Sequence, residues 1–538
     1  MKRLLIYMCA LCGSTVTAQA QSVEPTDVPV TDAARYRLAD EMMLWQQSRN
    51  AAGMAPDFAV TDSSMNRGEA FFNYSHRGGD FHRVQDGGRR NNLQFYTERY
   101  QKIGRYLYGY GSFDFNMGRT KNRAWSDVLR SYNSNPFISG SSVFGKYDHQ
   151  NIALDARLGT VPLGRFTYGA ALHYEVGDLS RLRDPRSRIN LLDYRITPSV
   201  TYTFGDALMA KDAKSSHTLG LALHYDRRKE KLPSLTTVQT DATLAYYVMT
   251  GLEDATATIG GYSGYQREYV NHEFGGELSY SYRGRRFRSL TSLTLDHGTE
   301  YVYGQYKYQP GRYYTYIYGA KTQNRWQTPG LLHALDVAAT YQQAYADEYR
   351  QERVTTTDSL TGYTTISWNK LMEYRKRFQL KTFDFSAHYR LSFVKGAEQC
   401  GYAGVEYRLQ DVRNKRLLHT SRLEYASSLV CLEGGYATPR WGKGNRLLFD
   451  ARAGYNFSTK AVLDLADATT DYAVNVLIPD MDVLDANYFC GSLQAEYQQP
   501  LRLGGRPSLW FLRAAGQYTA AEHSLNRYTL SLSVGLRY

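Results

Sequence analysis

From Arg165 to Val176 the chain alternates strictly. Phe166, Tyr168, Ala170, Leu172, Tyr174 and Val176 fall on one face, and Arg165, Thr167, Gly169, Ala171, His173 and Glu175 on the other. The pattern returns from Arg446 to Phe457, where Leu447, Phe449, Ala451, Ala453, Tyr455 and Phe457 oppose Arg446, Leu448, Asp450, Arg452, Gly454 and Asn456. After Lys381, Phe383, Phe385, Ala387, Tyr389, Leu391 and Phe393 oppose Asp384, Ser386, His388, Arg390 and Ser392. The chain finishes the same way, with Tyr528, Leu530, Leu532, Val534, Leu536 and Tyr538 separated by Thr529, Ser531, Ser533, Gly535 and Arg537. Similar segments start near Ile152, Tyr194, Leu219, Phe274, Phe287, Val405, Phe489 and Trp510.

A period of two describes a strand whose two faces meet different surroundings. Here the polar face is rich in Arg, Asp, Glu and Gly, while Tyr, Phe or Trp often begins or ends the apolar face. Aromatics at the tips of an apolar band are what a membrane barrel places at the two lipid–water interfaces. The runs reach about 10 residues or more, enough to cross hydrocarbon at a tilt. Strands of a soluble sandwich or propeller average ~5–6 residues. The polar-face residues His173, Glu175, His388, Arg390, Asp450 and Arg452 are therefore expected to line a lumen.

Short connections near 102–105, 160–165, 283–286, 328–331, 394–397, 440–445 and 501–507 alternate with longer polar ones. The longer ones are expected at 118–142, 178–188, 227–268, 350–370 and 459–486, with a further connection at 205–216. Short turns on one side and long loops on the other is the outer-membrane arrangement. Counting hairpins from Gly68 predicts an all-β, transmembrane antiparallel β-barrel of about 18 strands, with 14 or 16 as alternatives. Both termini would then be periplasmic. The terminal run, Tyr528 to Tyr538, is the expected closing strand, since a barrel in lipid leaves no edge unpaired. Its last aromatic resembles the signal that delivers outer-membrane barrels to their assembly machinery.

Three regions are predicted. Residues 1–20 read as a signal peptide: Lys2 and Arg3, apolar Leu4 to Leu11, then Ala18-Gln19-Ala20 as a small-x-small cleavage site. Residues 21–66 form a hatch or periplasmic arm. Within it, 32–48 read as a helix with Leu38, Met42 and Trp45 on one stripe. Residues 67–538 form the barrel.

Composition adds little that changes this picture. Tyr and Gly are abundant, at 47 and 45 residues against 14 Pro, and no stretch of the mature chain approaches a membrane helix. A mean hydropathy of −0.51 suits a barrel, in which only alternate residues face lipid. Cys400, Cys431 and Cys490, the cysteines left after cleavage, make no disulfide framework. The net charge of +12 on an exported chain does not point to nucleic acid.

Chemistry is sparse. Gly-x-Ser-x-Gly, His-Glu-x-x-His and phosphate-cradling glycine loops are absent, and no His or Cys cluster shows metal spacing along the chain. No cofactor is expected, and no enzyme. The lesser alternative is an embedded hydrolase built on His173, His224 or His388, which occupy polar-face positions beside Tyr174, Tyr225 and Tyr389. Arg181, Arg183, Asp184 and Arg186 suggest either a cationic constriction for anions or an Arg/Asp network that locks a loop or binds lipopolysaccharide phosphates. The network is the favoured reading. Tyr314, Tyr316 and Tyr318 share a face and suit an interfacial girdle.

Two resemblances extend these readings. The element Asn50-Ala51-Ala52-Gly53-Met54 is similar to the Asn-Pro-Ala-Gly-Leu/Met element of the long-chain fatty-acid transporter family, with Ala51 in the proline's place. That likeness implies a hatch containing Trp45, Asn50 and Gly53. More widely, this element, "YGYGSFDFNMGRTKNRAWSDV" (108–128), "NPFISG" (135–140) and "RLRDPRSRIN" (181–190) resemble a family of outer-membrane β-barrel proteins of about this length. Its members occur in anaerobic Gram-negative bacteria, often beside TonB-dependent transporters, and carry no assigned activity. The expected function is a channel or transporter for a small hydrophobic or anionic solute. The alternative is a non-transporting scaffold for a TonB-dependent transporter, a secretion component or a surface lipoprotein. Outer-membrane lipid, lipopolysaccharide and the barrel-assembly machinery are the remaining expected partners.

Overall fold

In chain order the strands are β1 (Arg67–Gly79), β2 (Arg89–Ile103), β3 (Leu107–Arg123), β4 (Ser139–Ser141), β5 (Gly145–Thr160), β6 (Phe166–Arg181), β7 (Arg188–Gly205) and β8 (Ser215–Leu232). They continue with β9 (Ala245–Gly251), β10 (Asp254–Ile259), β11 (Arg267–Gly284), β12 (Phe287–Tyr303), β13 (Gly311–Thr328), β14 (Leu331–Thr357) and β15 (Thr364–Lys395). The last are β16 (Glu398–Arg416), β17 (Ser421–Ala437), β18 (Arg446–Asp464), β19 (Tyr488–Leu503), β20 (Arg506–Ala521) and β21 (Asn526–Arg537). The structure is a computed structural model. It describes residues 67–538 apart from 206–214, 239–244, 260–264, 285, 396–397, 419 and 504–505. The predicted helix at 32–48 and the hatch residues Trp45, Asn50 and Gly53 lie outside the described residues, as does most of the connection expected at 205–216.

Eighteen strands form one antiparallel sheet in sequence order, with β4, β9 and β10 forming a separate small sheet. The large sheet closes on itself. β21 pairs with β1 from Glu69↔Arg537 to Gly79↔Arg527, and Gly68 and Tyr538 exchange backbone hydrogen bonds of 2.7 and 3.0 Å at the seam. Closure satisfies the N–H and C=O groups that an edge would leave bare in lipid.

The alternation sorts side chains between the two surfaces of this cylinder. On β7, Thr197, Thr201 and Thr203 are buried inside, while Ile196 and Phe204 are exposed outside. On β21, Tyr528, Leu530, Leu532 and Val534, and Tyr538 just after it, are exposed while Ser533 is buried. Leu493 and Phe274 are 70% and 63% exposed, which water would not tolerate repeated around a whole ring. The outer surface is therefore a lipid-facing band, and the fold is that of an outer-membrane barrel. Aromatics edge the band. Tyr194 and Tyr202 face outward on β7, ~26 Å apart at ~3.3 Å per residue, or ~20 Å across a membrane at the usual tilt. Phe166, Tyr202 and Phe204 pack together at one edge, with ring centroids 4.9 and 4.8 Å apart. Tyr455 and Phe457 pack at the other, also 4.8 Å apart. Tyr314 and Tyr316 contact edge to face in the manner of a girdle.

One end of the barrel carries tight turns. Gly164 and Gly330 take φ of +68° and +76° there, a left-handed conformation that glycine adopts without strain. The opposite end carries the longer connections, but strands extend into two segments expected as loops, and one of these is largely strand. In 178–188, β6 runs to Arg181 and β7 starts at Arg188, so the loop is the shorter 182–187. Residues 350–370 belong mostly to β14 and β15, joined by 358–363. These strands rise past the barrel rim with charged and hydroxyl residues on both faces. Without an apolar side to bury, they lose the alternation that marks the lipid-crossing part. From Tyr349↔Glu373 to Thr357↔Thr364 the ladder of the β14–β15 hairpin is with itself alone among the described strands.

Candidate functional site: a lumen closed by loops

The polar face of the wall is charged and internally paired. His173 Nδ1 meets Asp155 Oδ1 at 3.0 Å, and its Nε2 lies 3.6 Å from Glu175. His388 Nε2 and Arg390 Nη2 share Glu433 Oε1 at 2.8 and 2.7 Å. Arg452 pairs with Glu406. Asp450 accepts from the Tyr402 hydroxyl and, at 3.2 Å, from Gln494 Nε2. The structure thus places all six expected lumen-lining residues on the inward face, in two groups: His173 and Glu175 on β6, and the rest on β15 and β18. Near the short-turn end, Glu496 is almost fully buried between Arg513 Nε and Arg537 Nη1, at 2.8 and 2.7 Å. Arg537 also reaches Glu69 at 2.8 Å. A buried charge is tolerated only when paired in this way.

At the other end three connections turn inward. Residues 124–144 carry β4, the described residues of 233–266 carry β9 and β10, and 465–487 carry a π-helical turn, Ala473–Leu477, that runs into α1, Ile478–Leu484. The first of these is anchored on strands far apart around the ring. Leu129 N–H donates to Glu230 of β8 at 2.8 Å. Arg130 and Asn135 donate to Glu300 of β12 at 3.0 and 2.7 Å. Asn133 donates to the Tyr425 hydroxyl of β17 at 2.8 Å. A segment leaving β3 and returning at β5 reaches all three only by crossing the lumen.

The crossing segments have a hydrophobic core of their own. Trp125, Phe137, Ile138, Met249, Val476 and Leu477 pack with inward wall residues that include Tyr269, Val302, Tyr313, Phe378 and Val412. The β4–β9 pairing, Ser139↔Val248 to Ser141↔Tyr246, joins the first two segments. Tyr247 OH donates to Asp471 at 2.6 Å and joins the second to the third. A fourth connection, 80–88, clasps them from above. Gln85 Nε2 donates to Trp125 O at 3.0 Å and to the Tyr472 hydroxyl at 2.9 Å, and Val84 N–H donates to Asp480 Oδ1 at 2.8 Å. Burial pushes the Asp480 carboxyl up to about 7, only partly opposed by the nearby Arg83 guanidinium. A cavity of about 90 Å³ remains among Tyr132, Met249, Phe378, Tyr425 and Asp480, smaller than the ~150 Å³ that admits benzene.

Arg181 is buried beside this cap and fully engaged. Its guanidinium donates to the Tyr147 hydroxyl, Val143 O and Arg183 O at 2.8, 2.6 and 2.9 Å. Arg183 donates to Phe144 O at 3.1 Å. Asp184 accepts from Arg186 Nε and Val238 N–H, both at 3.0 Å. These four residues tie the β6–β7 connection to its two neighbours.

Sequence reasoning missed the clasp residues Arg83, Gln85 and Asp480. No periodicity marks them, because their partners lie up to several hundred residues away. It also missed that His224, Glu273 and Asp296 converge, with one ligand-type atom from each lying within 4.8 Å of the others.

Residues 56–538 match the model of a family of unknown function, DUF6850. The chain belongs to this family. No curated protein sequence matches it. Among solved structures it is similar to the FrpB iron transporter from Neisseria meningitidis in its apoprotein form, with a TM-score of 0.38 and 10% identity over 90% of this chain and 82% of that one. It is similar to the copper transporter OprC, at 0.35 and 9% over 87% and 80%. It is also similar to FauA, the alcaligin outer-membrane receptor from Bordetella pertussis, at 0.35 and 8% over 88% and 76%. These likenesses concern architecture alone.

Proposed function

We propose that this member of the family passes a small solute, hydrophobic or anionic, through a lumen gated by its own loops. The observation that carries the reading is the inward fold of 124–144, 233–266 and 465–487. Separately closed β-hairpins would satisfy their backbones without crossing the bore. Segments that cross it, cored with apolar side chains, form a unit that can dock or swing away as one body. The resting barrel is then shut, and passage follows displacement of the cap. On this reading the chain is Sec-exported, both termini are periplasmic, and the cap faces the cell exterior. The test is conductance in planar bilayers, with the intact mature protein, with a form lacking 21–66, and with one in which 465–487 is replaced by a short Gly/Ser turn. Rare openings in the intact protein and frequent ones after loop replacement support a gate. Silence in all three forms overturns it.

A second reading, a scaffold for a TonB-dependent transporter, secretion component or surface lipoprotein, is favoured by the projecting β14–β15 hairpin. It stands ~30 Å beyond its last flanking pairs at ~3.4 Å per residue. Leu360, Tyr363 and Leu371 are exposed on it, with Leu360 at 95%. Isolation of native membrane complexes with and without the hairpin separates the two readings.

A further inference from the structure

On the inner wall, β11 runs between β8 and β12. Gly275 pairs with His224 on one side and with Asp296 on the other. With no side chain at Gly275, the two neighbours lean together across it. A Cβ there would stand 2.4 Å from His224 Nε2 and 2.0 Å from Asp296 Oδ1. Glu273, two residues along β11 and so on the same face, completes the group.

The imidazole Nε2 and carboxylate Oδ1 are 2.9 Å apart. Yet both atoms are buried without a hydrogen bond to any described residue. The His224 side chain is 8% exposed, so water does not readily supply the missing hydrogen bond. Two donors held ~2.1 Å from one ion at a right angle stand about 3 Å apart, which matches this separation. The charge count agrees. Glu273, Asp226 and Asp296 contribute three negative charges, and Arg195, at 3.0 Å from both Asp226 and Glu273, contributes one positive. A dication cancels the remainder. The same Arg195 contact fixes the Glu273 carboxylate from behind, as outer partners of metal ligands do.

We propose that His224 Nε2, a Glu273 carboxylate oxygen and Asp296 Oδ1 bind one divalent transition-metal ion on the lumen face of the wall. One imidazole with two carboxylates at a right angle suits cobalt, copper or manganese better than calcium or magnesium. The ion would staple three strands, β8, β11 and β12, which carry His224, Glu273 and Asp296. The proposal is independent of whether the barrel conducts.

The test uses the mature protein in detergent, stripped with EDTA, dialysed and titrated with Co²⁺ and then Cu²⁺. About one equivalent of Co²⁺ is expected, with binding weakened at least ~10-fold in both His224→Gln and Asp296→Asn. Heat-modifiable migration in gels verifies that the variants are closed barrels. The Cu²⁺ electron paramagnetic resonance spectrum of the unaltered protein should show coupling to a single nitrogen, a readout that holds if the variants fail to fold. Failure of the intact protein to retain either ion, unchanged affinity in both folded variants, or a spectrum with no nitrogen or several overturns the site.

Discussion

The two ends of the lumen are held by different forces. At the short-turn end the inner face is fastened by paired charges from neighbouring strands, as where Glu496 lies between Arg513 and Arg537. At the other end the space is filled by a hydrophobic core in which Phe137, Met249 and Val476 come from three separate connections. Paired charges between adjacent strands stiffen a wall that is already closed. A core assembled from loops adds a body that the wall does not need in order to close. On the proposed reading, the difference teaches where movement would reside: the closed wall would open only by unfolding, whereas the cap would separate from it along an apolar surface and a few hydrogen bonds.

That contrast can be broken at its strongest point first. Phe137 is fully buried and meets the Phe378 ring edge-on at 6.0 Å. Phe137→Ala should weaken cap docking by up to about 5 kcal/mol, seen as rapid proteolysis within 124–144 while the barrel keeps its heat-modifiable migration. Loss of the barrel itself would erase the distinction between cap and wall. Glu496→Gln should act the opposite way. It removes the charge shared by Arg513 and Arg537, at a cost of about 3 kcal/mol, the low end because Glu69 still pairs with Arg537. The barrel's thermal transition should fall with no change in loop proteolysis.

A pH series sharpens the comparison further. The Asp480 carboxyl titrates near 7 in the docked cap and near its ordinary 3.8 when released. Between those values the docked state holds a proton that the released state does not. Docking is therefore strongest below about pH 4, weakens as pH rises towards 7 and is flat above it. Protease access to 465–487 should be greater at pH 8 than at pH 5, and Asp480→Asn should flatten the profile. A profile of opposite sign would refute this assignment. The smallest effect belongs to the rim. Arg119 and Asp148 form an exposed ion pair at 2.6 Å, and Arg119→Ala should shift stability by less than ~1 kcal/mol, with neither cap nor wall altered.

Much of the wall was legible in the chain. Strict alternation in 165–176, 446–457 and 528–538 gave the two faces, and the turn spacing gave about 18 strands, the number found. The alternation failed where strands leave the membrane, so 350–370 read as a loop although β14 and β15 fill most of it, and the loop expected at 178–188 is the shorter 182–187. The clasp was not legible at all. Val84 and Asp480 are 396 residues apart and sit in segments without periodicity.

By itself the sequence determined which side chains face lipid and which face inward, because pleating makes that a property of consecutive residues. Only the tertiary structure decided which inward residues meet and which connections fill the bore. His224, Glu273 and Asp296 lie on three strands whose register sets them side by side. The three crossing segments share a core that exists only once the ring has closed. Local alternation fixes a face. Distance around a cylinder is fixed by pairing, and no stretch of ten residues contains it.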